Sequence, residues 1–415
     1  MRRSKLWKKL LDVEHVVLED EVLEAGPGGA EILVIRLRPD KRHWLRCPLC
    51  GCGRPYRDDG EGRRRWRALD MAVMACYLEA DAPRVACPRH GVIVAAVPWA
   101  RHDSRYTCAF EEYAAWLAAA MPAKKAARLL RITWRSLQSI VGRVVAELAG
   151  RTDRLAGLRR IGIDEICWRQ DEYLMAVTDH DTGRMVWAAE GRCQDTVRAF
   201  FTALGPERAK QLTHVSADGA EWIHDVIRER APQAAICLDP FHVVKWAGDA
   251  LDELRRRLAT ELRAAGKDDQ AATLGSGMWA LRKKPEKLTG TQRTTLAQIA
   301  ADNKHLYKGY LMKEQLRAVF AARGAPGRVL LAGLISWAQR CRIPEFEKLA
   351  RTLKRLRPLI WNTLDDYGVS NARSEATNTH LRKLINRAYG FRSAGALIAM
   401  ATLTRGGLCP ELPGR

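Results

Sequence analysis

The run from residue 161 to 191, IGIDEICWRQDEYLMAVTDHDTGRMVWAAEG, decides how the rest of the chain is read. It holds three β-rich segments, 161–168, 173–178 and 185–190, separated by short turns, DHDTG among them. Two more, 212–217 and 234–238, alternate with the helical stretches 196–204 and 222–230. A β-β-β-α-β-α-β-α order implies an α/β domain built on a mixed sheet. Asp164 stands inside the first apolar strand, where burying a carboxylate is costly unless a metal or another partner takes up its charge. Asp218 ends the segment LTHVSAD, residues 212–218, and Asp239 ends the last strand and leads into His242. Far downstream, SNARSEATN at 370–378 opens a helix that carries Glu375. Any one of these acids alone reads more simply as a helix cap or a surface charge. Two on adjacent central strands and one on a packed helix can instead hold a pair of Mg²⁺ ions, because hard divalent cations take oxygen ligands. A two-metal site of that kind serves phosphodiester chemistry.

Upstream, residues 110–147, FEEYAAWLAAAMPAKKAARLLRITWRSLQSIVGRVVAE, predict three helices. The first ends near Met121-Pro122, the second is the short AKKAARLL, and a turn at Arg131–Ile132 leads to Thr133 as N-cap of a helix from Trp134 to Glu147. Short helix, tight turn and polar-faced helix is the helix-turn-helix plan. Thr133, Arg135, Ser136, Gln138 and Ser139 would face DNA, and Trp134, Leu137, Val141, Val144 and Val145 the core. An ordinary three-helix bundle is the competing reading; the basic setting favours DNA.

Further upstream, Cys47-Pro-Leu-Cys50 and Cys87-Pro-Arg-His90 are paired knuckles. Tetrahedral Zn²⁺ takes four such ligands, and a set with no open position is structural. Gly51 and Gly91 follow the second ligand of each knuckle, where a positive φ is often needed. Cys52 is the less favoured substitute for Cys50, and unrelated cysteines are the bland alternative. Between the knuckles, Arg63, Arg64, Arg65 and Arg67 flank Trp66, either as a phosphate-facing surface or as a solvated charge run. Before them, residues 15–40 alternate as two strands joined at Gly26–Gly29.

The whole chain of 415 residues is basic, with 69 Lys and Arg against 48 Asp and Glu, a net charge of +21. Residues 1–160 hold 30 basic and 19 acidic residues, or +11, which leaves +10 for the remainder. Both halves therefore call for a polyanionic partner, most simply nucleic acid. No apolar run reaches membrane-spanning length, and the start, MRRSKLWKKLLDVEHVV, lacks a signal-peptide core. The 11 cysteines are mostly isolated in apolar stretches, which fits a reduced cytoplasmic chain. After Phe241 the pattern is almost wholly helical to Arg392.

IGIDE at 161–165, VSADG at 215–219, DPFHVVK at 239–245 and SNARSEATNTHLRKLINRAYGFRS at 370–393 resemble the bacterial insertion-sequence transposases of the ISL-three family. The two knuckles and the helix-turn-helix stand in the family's order, so the resemblance covers nearly the whole chain. It implies a multidomain α/β protein with a ribonuclease-H-like mixed-sheet catalytic domain and an all-helical insertion, preceded by a zinc-binding β domain and a helix-turn-helix. The expected boundaries are 1–105 for the zinc domain, 106–155 for the helix-turn-helix, 156–249 for the first catalytic part, 250–355 for the insertion and 356–415 for the final helices. Asp164, Asp218 and Glu375 become the catalytic triad and the ligands of Mg²⁺ or Mn²⁺; Asp239 and His242 become an auxiliary Asp-x-x-His element. Pro240 and Ala376 stand where family chains often carry Arg and Gly; neither departure removes an acid, and Pro suits the first turn of a helix.

The resemblance also implies that Arg373, Arg382, Lys383 and Arg392 hold DNA phosphates from the helical region around Glu375, with Lys245 doing likewise after His242. Asn378, one turn after Glu375, would orient it. In similar enzymes an aromatic of the insertion stacks on a displaced base; Trp279, in GMWALRKKPEKLTG, either does this or fills a helical core. The function implied is a DNA transposase that binds terminal inverted repeats and catalyses Mg²⁺-dependent strand cleavage and strand transfer. It would act on element ends and target DNA as a homodimer or larger homo-oligomer, in the bacterial cytoplasm at the nucleoid, with no membrane partner. The alternatives are an inactive transposase-derived DNA-binding regulator and a metal-dependent nuclease that cuts but never joins.

Overall fold

The computed structural model describes residues 3–365, 372–388 and 390–412. The chain divides into two units, one of Met1–Asp153 with Leu384–Arg415, the other of Arg154–Lys383.

In the first unit, α1 (Arg3–Leu11) precedes the antiparallel hairpin of β1 (Val16–Ala25) and β2 (Glu31–Pro39). Gly28 and Gly29 close its turn at φ 73° and 80°, values that glycine adopts without Cβ strain. Next come β3 (Tyr56–Asp58), β4 (Arg63–Arg67), β5 (Ala75–Asp81), β6 (Arg84–Cys87) and β7 (Gly91–Val94). They form a four-stranded sheet, β1-β2-β5-β4, and a three-stranded sheet, β3-β6-β7. Alternate residues Leu33, Ile35 and Leu37 of β2 face one core with Leu78, Trp66 and Trp99, the two indoles meeting edge to face at 5.5 Å.

Helices α2 (Cys108–Ala120), α3 (Ala123–Leu129) and α4 (Trp134–Arg151) follow. Thr107 and Thr133 cap the longer two by accepting from the amides of Phe110 and Ser136, and Arg131 at φ 57° makes the turn between α3 and α4. The predicted three helices are thus present, and Leu137, Ile140, Val141, Val144 and Val145 form the buried face of α4. Glu111 of α2 is fully buried; its carboxylate takes Arg143 of α4, Arg101 at 3.3 Å and the Ser104 hydroxyl at 2.7 Å. This network joins α2 to α4 and to the segment before them.

In the second unit, β8 (Arg160–Arg169), β9 (Glu172–Asp179) and β10 (Met185–Glu190) form an antiparallel meander. Helices α5 (Gln194–Leu204) and α6 (Pro206–Ala209) lead to β11 (His214–Ala217), then α7 (Glu221–Arg230) and β12 (Ala235–Leu238). The sheet order is β10-β9-β8-β11-β12, with β11 parallel to both β8 and β12. The mixed sheet expected from the sequence is therefore present, with β8 at its centre. Ile161, Ile163, Met175 and Val177 share one face with Val197 and Phe200 of α5 and Ile223 and Ile227 of α7; residues in between, Asp164 among them, face the other way.

Helices α8 (Pro240–Ala264), α9 (Asp268–Ser276), α10 (Met278–Arg282), α11 (Gly290–Asp302), α12 (Lys304–Ala322), α13 (Gly324–Gln339), α14 (Pro344–Arg355) and α15 (Arg357–Asp365) share a second core around Leu251, Leu254, Leu316, Leu331 and Phe346. Asn362 and Thr363 of α15 donate to the carbonyls of Ile236 and Leu238, which ties this bundle to the sheet edge at β12. Helix α16 (Ala372–Ala388) follows, and α17 (Ala394–Arg405) packs on α2 and α4 of the first unit. Among the described residues no helix is long and apolar enough to cross a membrane.

Removing one partner of a buried charge network leaves the others uncompensated, at a cost of about 3–5 kcal/mol. Glu111→Ala is expected to lower stability by about that amount, read as an earlier unfolding midpoint in denaturant; a shift under about 1 kcal/mol would show that the network contributes little.

Candidate functional site

Asp164 lies on the central strand opposite Ala176 of β9. Its Oδ1 accepts from the Glu165 amide at 2.8 Å and its Oδ2 from the Asn378 side chain of α16, a residue 214 positions away. On the same face, Thr178, paired with Gly162, meets Thr377 of α16 at 3.5 Å. Helix α16 is thereby laid over Asp164. Burial pushes the Asp164 carboxyl up to about 6; His242 and the two hydrogen bonds pull it down, and Asp239 adds to the rise.

Asp239 and His242 stand at the start of α8. Asp239 is 2% exposed, caps the helix by accepting from the Phe241 amide at 2.9 Å, and faces His242 Nδ1 at 3.4 Å. Pro240 occupies the first turn, as its fixed φ allows. Asp218 leaves β11 into a turn in which its Oδ1 accepts from the Ala220 amide at 2.9 Å. Its carbonyl is held by the fully buried His224 of α7, whose Nε2 donates at 2.8 Å. At Gly219 a Cβ would come within 2.4 Å of the Trp246 ring, so glycine lets α8 close against this turn.

The side chains of Arg373 and Glu375 lie outside the described residues, and only their place in the first turns of α16 is given. Two sequence expectations are corrected nearby. Asn378 spends its amide on Asp164, because the helix face that carries it meets β8. Arg392 is not part of the helical region around Glu375: it lies past the end of α16, with its guanidinium 4.5 Å from the Trp134 ring centre. Arg382, Lys383 and Lys245 are exposed. Trp279 is 58% exposed on α10, so the helical-core placement does not hold.

One described residue that the sequence reading passed over is Glu165, next to Asp164. Its side chain is 9% exposed and paired with Arg192, whose guanidinium lies 4.7 Å over the Tyr173 ring. Burial pushes its carboxyl up to about 7, with Arg192 opposing and Asp218 and Asp164 adding. The signal was legible: a second acid directly after the first, in a strand otherwise apolar. Carboxylates on a buried strand suit a hard divalent cation by donor chemistry.

In the first unit, Cys47, Cys50, Cys87 and His90 bring their ligand atoms within 4.8 Å of one another. Cys47 and Cys87 Sγ stand 3.4 and 3.5 Å from His90 Nδ1, and Cys50 lies 3.8 Å from Cys87. Gly51 and Gly91 both sit at φ 70°, as the knuckles require. Cys52 is exposed and turns to the Cys50 carbonyl, so it is not in this group. Backbone amides and Arg54 bring the Cys50 thiol down to about 7, and Cys87 likewise falls to about 7, its amides and neighbouring cysteines outweighing burial. Thiolates of this kind are zinc ligands. A second group, His15, Asp40 and His43, is explained without an ion: Asp40 Oδ1 takes the amides of Arg42 and His43 and the His43 ring at 2.8–3.0 Å, a turn bond pattern.

At the start of α4, Arg135 and Ser139 are exposed and Gln138 and Ser136 half-buried, while the Thr133 hydroxyl is used as the cap. Trp134, expected in the core, is 37% exposed instead, with Arg135 and Arg392 near its ring at 5.9 and 4.5 Å. It is the first residue of the helix, ahead of the packed turns. The β4 arginines have partners within the unit. Arg65 pairs with Glu79 at 2.6 Å and Glu24 at 2.8 Å, and Arg64 donates to the Ser104 carbonyl at 3.1 Å and lies over Trp66.

Known families match the same three segments. Residues 161–401 match a family described as transposase, residues 95–145 the helix-turn-helix domain of transposase family ISL3, and residues 45–90 the zinc-finger of transposase IS204/IS1001/IS1096/IS1165. The transposases for insertion sequence element IS1557 of two Mycobacterium tuberculosis strains, CDC 1551 / Oshkosh and H37Rv, are 47% identical over 437 aligned residues, covering 100% of this chain and 98% of theirs. The transposase for insertion sequence element IS1001 of Bordetella parapertussis is 24% identical over 87% of this chain and 88% of its own. With the acids on the central strands, the helix-turn-helix and the Cys₃His group each falling inside the matching segment, this chain belongs to the ISL3 family of insertion-sequence transposases.

Proposed function

We propose that residues 156–249 and 356–415 form a ribonuclease-H-like catalytic domain interrupted by the helical insertion 250–355, and that Asp164, Asp218 and Glu375 are its triad. The observation that carries this is the bond from Asn378 to Asp164, which brings the helix bearing Glu375 onto the central strand of the β10-β9-β8-β11-β12 sheet. The triad would hold two Mg²⁺ or Mn²⁺ ions. Bound there, such ions supply Lewis acidity to the attacking and leaving oxygens of a phosphodiester.

The protein's own groups do the rest. Asn378 and the Glu165 amide fix both oxygens of Asp164, and His224 fixes the backbone at Asp218. Asp239 and His242 add a charged pair at the start of α8. The exposed Arg382, Lys383 and Lys245, together with Arg373, would take DNA phosphates, and the exposed Trp279 offers a stacking face. In cleavage, water attacks the phosphorus at the element end and the 3′-hydroxyl leaves; in strand transfer that hydroxyl attacks target DNA. Domain 106–155 would read terminal inverted repeats through Arg135, Ser136, Gln138 and Ser139, with Arg392 on a flanking phosphate. Domain 1–105 would be held by a structural Zn²⁺ on Cys47, Cys50, Cys87 and His90. Pairing two ends calls for a homodimer or larger assembly, acting at the nucleoid in the cytoplasm.

Asp164→Asn is expected to cut Mg²⁺-dependent cleavage of terminal DNA roughly a thousand-fold, about 4 kcal/mol of barrier, while gel-shift affinity for that DNA is unchanged. Full cleavage by this variant would sink the triad. Metal analysis is expected to find one zinc per chain, lost in Cys47→Ser together with thermal stability; zinc-free protein of undiminished stability would refute the structural site. Asp164, with its carboxyl near 6, holds a proton below that pH which a cation must displace. Divalent-cation affinity should therefore rise as pH rises from about 5 to 7, with proton release seen by calorimetry in two buffers; a flat profile would contradict it.

A further inference from the structure

The buried end of β8 carries one more acid than the triad accounts for. Glu165 follows Asp164 directly, and strand alternation turns its side chain to the opposite face. Its side chain is nine-tenths buried, and its two oxygens differ. Arg192 holds Oε2, and Tyr173 beneath the guanidinium restricts that arm. Oε1 is buried and has no hydrogen-bond partner. A solvent-shielded carboxylate oxygen without a donor is unfavourable, and the nearby charges make it worse: the Asp218 carboxylate acts on Glu165 more strongly than Asp164 does, while Asp164 feels Asp239 and His242. Asp164, Glu165, Asp218 and Asp239 thus stand against Arg192 and His242 here, and what this group lacks is positive charge. A hard cation supplies it and accepts a carboxylate oxygen as ligand.

We propose that Glu165 is a fourth carboxylate of the divalent-cation site, offering Oε1 between Asp164 and Asp218 while Arg192 clamps its other oxygen. This rests on the reading of Asp164 and Asp218 as cation ligands. Arg192 is the positioning residue: it is half exposed, and its stack on Tyr173 sets where Glu165 points. A purely structural Glu165–Arg192 ion pair makes a different prediction, because it has no effect on cation binding once the protein is folded.

The experiment titrates Mn²⁺ into the full-length protein without DNA, read by electron paramagnetic resonance and calorimetry, for wild type, Glu165→Gln, Glu165→Asp and Asp164→Asn. Metal-free melting curves and zinc content serve as the folding control. Glu165→Gln keeps size and loses charge, and is expected to weaken Mn²⁺ binding tenfold or more, in the range seen when groups supporting a metal site are removed. Glu165→Asp, which withdraws the oxygen by one methylene, is expected to weaken it at least threefold, and decides the matter if the Gln variant does not fold. Mn²⁺ affinity within twofold of wild type in the folded Glu165 variants overturns the proposal. Loss in Glu165→Gln with normal binding in Asp164→Asn would support Glu165 and remove Asp164 from the site, so the two readings fail separately.

Discussion

A carboxylate in the middle of a five-stranded sheet is the constraint on which the catalytic unit depends. Asp164 is buried enough for its carboxyl to rise to about 6, and every element near it answers that burial. The strand it sits on gives an amide to one oxygen, and α16 crosses the sheet face to give a side-chain amide to the other. Helix α8 starts where Asp239 caps it, and α7 pins the turn after β11 through His224. Hydrogen bonds of this kind orient a charged group without neutralising it, so the site remains electron-rich and selective for cations.

The net charge of +21 overstates what is free to meet DNA. In the first unit Arg36, Arg63 and Arg65 crowd around Glu79, and Arg101 and Arg143 around Glu111. Those arginines stiffen a small sheet and a three-helix packing. The exposed cations concentrate instead at the start of α4 and along α16. A basic sequence is therefore a guide to partner class, and the pairing within the fold decides which cations do the contacting.

Much of the fold was legible because its signals are local. Alternation marked β8 to β10 to within a residue or two, and Thr133 and Pro122 marked the helix ends of the three-helix segment. Spacing alone brought Cys47, Cys50, Cys87 and His90 together. What stayed hidden is long-range. Nothing near Asn378 says that its partner lies 214 residues earlier, and Arg392 next to Trp134 depends on α17 folding back on α2 and α4. Trp134 itself follows the helical period yet is exposed, because the first residue of a helix has no preceding turn to pack beside. The β4 arginines read equally as phosphate contacts or charge ladder, and only the cross-strand register shows Arg65 opposite Glu79.

The return of α17 to the first unit has a consequence for how the protein is made. The helices expected to read DNA are complete in sequence by Arg151, but one of the surfaces they pack against lies between Ala394 and Arg405. A ribosome delivers that surface last. The DNA-reading unit therefore closes only after the whole catalytic segment has been synthesised, and a product truncated by a frameshift or early stop would lack a wall of its own helix packing. Competence to bind is in this way tied to completion of the chain, through packing alone.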